Sequence, residues 1–319
     1  MKPFRTAFFA ATLALACVGN AQTFGVALSY NDARLEPEVQ LRDLAAGGIV
    51  LDLRAAGGLA GPLEFGAVGG FRSSFGPLGT VGAAVGVDVS TAGAFDASLD
   101  GSGALAATGL DADLSVFNRN PGAFSPTAAY TLSSRPFFPV SAVEPGVGAH
   151  LRVGATQRLG RTLLLEAAPE LTYLAGSGVG AGLDLRLQFR RLIDADNGVA
   201  LLEGSTGPGA GRGFVAGGAE YQLNRRGLPS LTAALLLGSS DAGIAPGLRA
   251  SAAGEVARFS YRAEVAAEPY RRAAPPYRAN VAVGTALGPG ALGLELGAAL
   301  ANDFGVPPVL LRGSYAFRF

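Results

Sequence analysis

The sequence predicts an all-β chain, a transmembrane antiparallel up-and-down β-barrel of about 16–18 strands. Three observations carry that reading. Residue character alternates with a period of two along most of the chain, which is the strand period. One face of the alternation is aliphatic while the other carries full charges. Beyond the N-terminal leader, no run of 18 apolar residues escapes interruption by Gly, Pro or charge, so the chain has no helical span to offer. A segment that enters a bilayer without helices must close its strands into a barrel.

The alternation is legible strand by strand. Over 179–189 one face reads Val179, Ala181, Leu183, Leu185, Leu187 and Phe189, and the other Gly180, Gly182, Asp184, Arg186 and Gln188. Over 259–268, Phe259, Tyr261, Ala263, Val265 and Ala267 oppose Ser260, Arg262, Glu264 and Glu268. In 277–287, Tyr277, Ala279, Val281, Val283 and Leu287 oppose Arg278, Asn280 and Gly284. In 291–300, Leu292, Leu294, Leu296 and Leu300 oppose Gly293, Glu295 and Gly297. A soluble sandwich alternates as well, so periodicity by itself leaves that class open. Charges recurring on one face, with aromatics near the strand ends of the other, favour lipid outside and a wet lumen inside.

Bulk composition agrees. Of 319 residues 49% are hydrophobic and only 16% charged, against about 25% charged in a soluble domain. The 47 glycines suit the bends and tight packing of a curved sheet. Lys2 is the one lysine, no basic run occurs, and nucleic acid is therefore not an expected partner. Cys17 is the only cysteine and His150 the only histidine, which leaves no cysteine-rich metal site and no expected cofactor.

Residues 1–21 read as a secretory signal peptide. Lys2 and Arg5 give the positive start, Thr6–Val18 the apolar run, and Gly19-Asn20-Ala21 the small residues a signal peptidase checks. Cleavage is expected between Ala21 and Gln22, leaving 22–319 as one barrel domain. An anchor helix is disfavoured because the run is short. Lipidation at Cys17 is disfavoured because Ala14-Leu15-Ala16 departs from the lipobox pattern.

At the other end Val309, Leu311, Tyr315, Phe317 and Phe319 share one face of a final strand. These residues resemble the terminal signature of bacterial outer-membrane β-barrel proteins, a porin-like class, with Ser314 at the usual small position. The resemblance covers the last dozen residues and the general strand pattern, and it identifies a class rather than a family. It implies an outer-membrane location, contact with outer-membrane lipid, and insertion by the barrel-assembly machinery through Tyr315, Phe317 and Phe319.

If Phe319 lies at the periplasmic rim, the turns sort by side. Gly288–Gly290, Gly254–Ala257, Asn224–Gly227, Ile193–Asn197, Leu159–Arg161 and Asp100–Gly103 fall inside. The longer connections fall outside: Asp303–Pro307, Pro269–Pro276, Gly238–Gly243, Gly204–Arg212, the short Ala175–Ser177, and a long external loop at 118–145. Counting to Thr23 gives about 18 segments, or 16 if Glu36–Asp43 is a loop or helical turn. The 118–145 loop could fold inward and narrow a pore, or stay at the surface.

The expected lumen lining is Arg152, Glu166, Glu170, Asp184, Arg186, Arg190, Glu220, Arg262, Glu264, Glu268, Arg278, Glu295 and Arg312, with Arg318. In part such charges pair into a ladder that stiffens the wall. In a barrel of this strand number they also line water, because diameter grows with strand count. The expected activity is non-enzymatic: diffusion of small hydrophilic solutes or ions, with oligomerisation left open. A structural or adhesive barrel with a closed lumen stands as the alternative. A barrel hydrolase using His150 is a remote third, since no second catalytic element accompanies it at recognisable spacing. Gly207–Gly213 lacks the Lys-Ser/Thr of a phosphate loop and reads as a flexible connection. Loop aspartates such as Asp194 and Asp196 could hold calcium, though nothing in their spacing requires it.

Overall fold

The computed structural model describes residues 23–31, 34–46, 48–57, 63–74, 79–105, 107–119, 146–193, 195–207, 213–271, 276–300 and 309–318. The predicted leader with its Ala21–Gln22 cleavage point, most of the 118–145 loop, Asp194 and Phe319 lie outside the described residues.

Eighteen strands form one sheet. The first six are β1 (Thr23–Asn31), β2 (Arg34–Ala46), β3 (Ile49–Gly57), β4 (Leu63–Ser74), β5 (Thr80–Ser90) and β6 (Phe95–Leu105). Next come β7 (Thr108–Arg119), β8 (Gly146–Leu159), β9 (Leu163–Leu174), β10 (Gly178–Ile193), β11 (Asp196–Thr206) and β12 (Phe214–Leu223). The last are β13 (Ser230–Ser240), β14 (Gly243–Val256), β15 (Phe259–Ala267), β16 (Tyr277–Leu287), β17 (Gly290–Leu300) and β18 (Val309–Arg318). Each strand pairs antiparallel with its sequence neighbours, and β1 pairs with β18 from Thr23↔Arg318 to Asn31↔Leu310. The sheet is thereby closed and has no free edge. The strand number is 18 rather than 16, because Glu36–Asp43 belongs to β2.

That segment is hard to read locally because a bulge breaks its period. Pairing to β3 shifts between Leu41 and Leu44, Asp43 takes a φ of 60°, and its N–H donates to Asp52 Oδ1 at 2.8 Å. One reading is corrected: Asp100–Gly103, predicted as a turn. Those residues lie inside β6, which runs on to Leu105, so the chain reverses only before Thr108. Asp100 and Ser102 serve the inner face of a strand rather than a reversal, and Gly101 and Gly103 lie on its outer face, in register with Ala83 and Val81.

The outer surface is apolar from rim to rim. At the bulges in β2 and β10 the alternation slips; elsewhere the outward strand positions carry no charged residue except Asp196 at one rim. Large aliphatic groups such as Leu235 (70% exposed) and Val179 (67%) stand fully outward. Aromatic residues ring both ends of this band. Tyr30, Phe65, Phe95, Tyr173 and Tyr277 lie at the rim opposite the chain termini. Phe24, Phe71, Phe189, Tyr221, Phe259, Tyr315 and Phe317 lie at the terminal rim. There Phe24 and Phe317 pack with centroids 5.3 Å apart, Tyr315 sits 6.1 Å from Phe317, and Tyr315 donates to the Leu287 carbonyl at 3.0 Å. Two aromatic girdles flanking an aliphatic belt are the mark of a lipid-facing barrel, and here they form without tryptophan.

Candidate functional site: a lumen with one covered and one open wall

The inner surface holds the charges. Arg152, Glu166, Glu170, Asp184, Arg186, Glu220, Arg262, Glu264, Arg278, Glu295 and Arg312 all occupy inward strand positions. Arg190 stands exposed at the terminal rim, where the β10 register breaks, and Arg318 is likewise exposed there. Glu268 also faces in, but from the β15–β16 connection rather than a strand.

Towards the rim opposite the chain termini the inner wall of β10–β16 is covered, and this connection does the covering. Its first residues turn into the barrel, with the Arg271 N–H donating to the Glu268 carbonyl at 2.9 Å and the Glu268 N–H to the Pro276 carbonyl at 2.7 Å. Tyr270 lies flat on the inner faces of β13 and β14, where Gly238 and Gly247 leave room for its ring. A Cβ at Gly238 would overlap that ring, and one at Gly247 would come within 2.7 Å of it. Phe214 closes the packing at 5.7 Å from Tyr270, with Val199, Leu201, Ala216, Ala234 and Leu236 forming an apolar patch beneath.

Around this patch runs a buried ion cluster. Arg249 bonds Glu203 at 3.0 Å and also Glu268; Arg271 bonds Glu203 at 2.6 Å and Glu268 at 3.1 Å; Arg278 bonds Glu268 at 2.8 Å. Glu268 is 0% exposed and Arg271 3%, and the Arg271 guanidinium sits 4.6 Å from the Phe214 ring centre. Burial opposes the Glu268 charge, but Arg271, Arg249 and Arg278 outweigh it and hold the carboxyl well below the usual carboxylate range. Burial, then the facing Glu268 and Glu203 carboxylates, push the Tyr270 hydroxyl well above its ordinary value. Towards the terminal rim Arg186 bonds Glu220 at 3.1 Å. Both oxygens of Asp184 are buried without a hydrogen-bond partner, beside Arg186, Arg249 and Arg271.

Among the described residues nothing covers the inner wall from β3 to β9; Glu64 is buried there, and most of its other charges are half-exposed. Arg54 reaches Glu64 at 2.7 Å, Glu38 at 3.6 Å and Asp88 at 3.9 Å. Arg152 reaches Asp111 at 2.9 Å. His150 stands between two carboxylates, Nδ1 at 3.7 Å from Asp113 and Nε2 at 3.5 Å from Glu170. Its ring nitrogens thus face acids rather than a serine hydroxyl. Several carboxylates lie flat on the wall over glycines of the next strand. Asp88 crosses Gly66, Asp111 crosses Gly154, and Glu170 crosses Gly182, each where an added Cβ would meet the carboxylate.

Sequence reasoning passed over Glu38, Arg54, Glu64, Asp88, Asp96, Asp100, Asp111, Asp113, Glu203 and Arg249. For the strand residues the signal was present, since the period-two reading applied to 80–119 puts every aspartate there on one face. Arg271, in a connection, carried no such signal.

No family model matches the chain, and no curated protein does. Solved structures similar to it include a mutant of Rh. blastica porin, 12% identical, with 94% of this chain and 99% of that chain covered at a TM-score of 0.47. A triple mutant of Rhodopseudomonas blastica porin is 11% identical, with 94% and 99% covered at a TM-score of 0.46. A bacterial polysaccharide outer membrane secretin is 11% identical, with 95% and 99% covered at a TM-score of 0.49. The barrel architecture rests on the strand pairings above.

Proposed function

We propose that this protein is a porin-like channel of a bacterial outer membrane, exported by its leader and passing small hydrophilic solutes or ions by diffusion. The observation that carries the reading is the partition of one closed sheet: an uncharged, aromatic-bounded outer face and a charged inner face. Such a partition suits a sheet with lipid outside and water inside. Barrels of 16–18 strands leave an aqueous passage, and the open β3–β9 wall gives that passage a polar lining. A cavity of about 360 Å³ lies on β15–β18 near the terminal rim, beside Ser260, Arg262, Glu295, Arg312 and Ser314. The C-terminal Tyr315, Phe317 and Phe319 fit the role of an assembly signal.

Liposome swelling tests the function. Vesicles carrying the purified protein should swell in small uncharged sugars and progressively less in larger oligomers. Swelling no faster than in protein-free vesicles would reject the channel and favour a closed structural barrel. The lipid-facing assignment has its own test at Leu235, at mid-height on β13. Leu235→Arg should lower stability in bilayers by about 2–4 kcal/mol, the cost of a charge at the lipid midplane. A neutral result, as for an exposed leucine in water, would contradict it.

A further inference from the structure

We infer that the channel prefers cations, and that five aspartates on β5–β7 set this preference. The inference rests on the channel reading and concerns traffic through the lumen rather than a bound ion.

The starting point is where water can run. The β15–β16 connection covers the wall of β10–β16 towards the rim opposite the chain termini, and Glu203, Glu268, Arg249, Arg271 and Arg278 are tied to one another there. Among the described residues, the wall left uncovered for a hydrated solute is the opposite one. That wall is not electrically balanced. Asp88, Asp96, Asp100, Asp111 and Asp113 all point inward from three adjacent strands. β5 and β6 contain no arginine or lysine, and β7 has only Arg119, its last residue.

Placement within the patch is also unusual for a merely structural ladder. Asp88 stands opposite Asp96, and Asp100 opposite Asp113, in the cross-strand register. Like charges directly opposite destabilise a sheet, whereas opposite charges at the same positions would help it. The flanking strands lend Arg54 to Asp88, Arg152 to Asp111 and His150 to Asp113. The strands that carry the five carboxylates supply one arginine of their own, and Asp100 is exposed to the lumen. Gly66 and Gly154 let Asp88 and Asp111 lie along the wall, so the charge is held there without narrowing the passage. Fixed negative charge lining a pore raises the local cation concentration and repels anions.

The experiment is a reversal-potential measurement on single channels of the full-length mature protein in planar bilayers under a potassium chloride gradient. At about 0.1 M salt, where the Debye length is about 10 Å, potassium should permeate roughly threefold or more over chloride, and the ratio should fall as salt rises. Asp96→Asn with Asp100→Asn should reduce the ratio about twofold or more while leaving a stable conductance step. A heat-dependent gel shift of the variant confirms that the barrel is intact. A ratio at or below one in the unmodified channel, or a ratio unmoved by the double variant, would overturn the charge assignment and leave the channel standing. A folded barrel without conductance would overturn both.

Discussion

The two inner walls of this barrel use the same residue types to opposite ends. On β10–β16, Glu203, Glu268, Arg249, Arg271 and Arg278 are drawn together under an inserted connection and almost wholly buried. On β3–β9, Asp88, Asp100, Asp111, Asp113, Arg54 and Arg152 remain half-exposed or exposed and lie along the wall. What separates them is cover. Glycine makes both arrangements, at Gly238 and Gly247 to seat a tyrosine ring, and at Gly66 and Gly154 to recess a carboxylate. A charge pairs tightly where water is excluded, because the unpaired alternative is costly, and stays loosely held where water reaches it.

The largest effect should come from Glu268. Glu268→Ala takes one of two carboxylates from a buried cluster of three guanidinium groups, a loss in the range of about 3–5 kcal/mol for breaking a buried pair. The β15–β16 connection should detach, raising single-channel conductance and exposing the connection to protease. Unchanged conductance and protease resistance would mean that the connection is held by something other than this cluster.

Next is the seat of Tyr270. Gly238→Val places side-chain atoms where the ring lies, an overpacking cost of about 1–3 kcal/mol, and should loosen the same connection less severely. The conductance gain should be smaller than in Glu268→Ala, and Tyr270→Ala in the same background should add little further change.

Acid gives a graded version of the first test. The Glu268 carboxyl is held below its ordinary value of 4.5, so its contribution to the covered wall is complete above that value and is lost as pH falls towards the folded-state value. Conductance should therefore show no loop-release step on acidification to about pH 4.5, with release only in stronger acid. A release step near neutrality would contradict the charged cluster.

The smallest effect belongs to the open wall. Gly154→Ala should push Asp111 off its recess and weaken its contact with Arg152. An exposed or half-exposed pair contributes about 0–1 kcal/mol, so heat stability should barely move while ion selectivity shifts. A large stability loss would show that the open wall is packed as tightly as the covered one.

Much of this was legible in the sequence. The outer and inner faces follow from a period of two, which needs no tertiary information, and the charges of β10 and β15–β18 fall out of it directly. The closing strand announced itself through Val309 to Phe317. β2 was obscured by the bulge at Asp43, where one residue out of step scrambles the alternation. The β6 misreading arose because Gly101, Ser102 and Gly103 look like a turn, yet Ser102 lines the inner face of the strand and the two glycines its outer face. The covered wall was not legible at all. Whether a connection folds inward depends on distant partners, and the cluster joins Glu203 to Arg271 across 68 positions of chain. The longest connection was the natural suspect for narrowing the lumen; the short stretch Glu268–Arg271 is what occupies it among the described residues.

The most direct test of the account is a single-channel recording of the purified, full-length mature protein in a planar bilayer. An open wall beside a covered one predicts discrete, long-lived conductance steps, and larger ones once Glu268→Ala frees the connection. A protein that migrates as a heat-modifiable barrel yet leaves the bilayer silent, with and without that substitution, would contradict it.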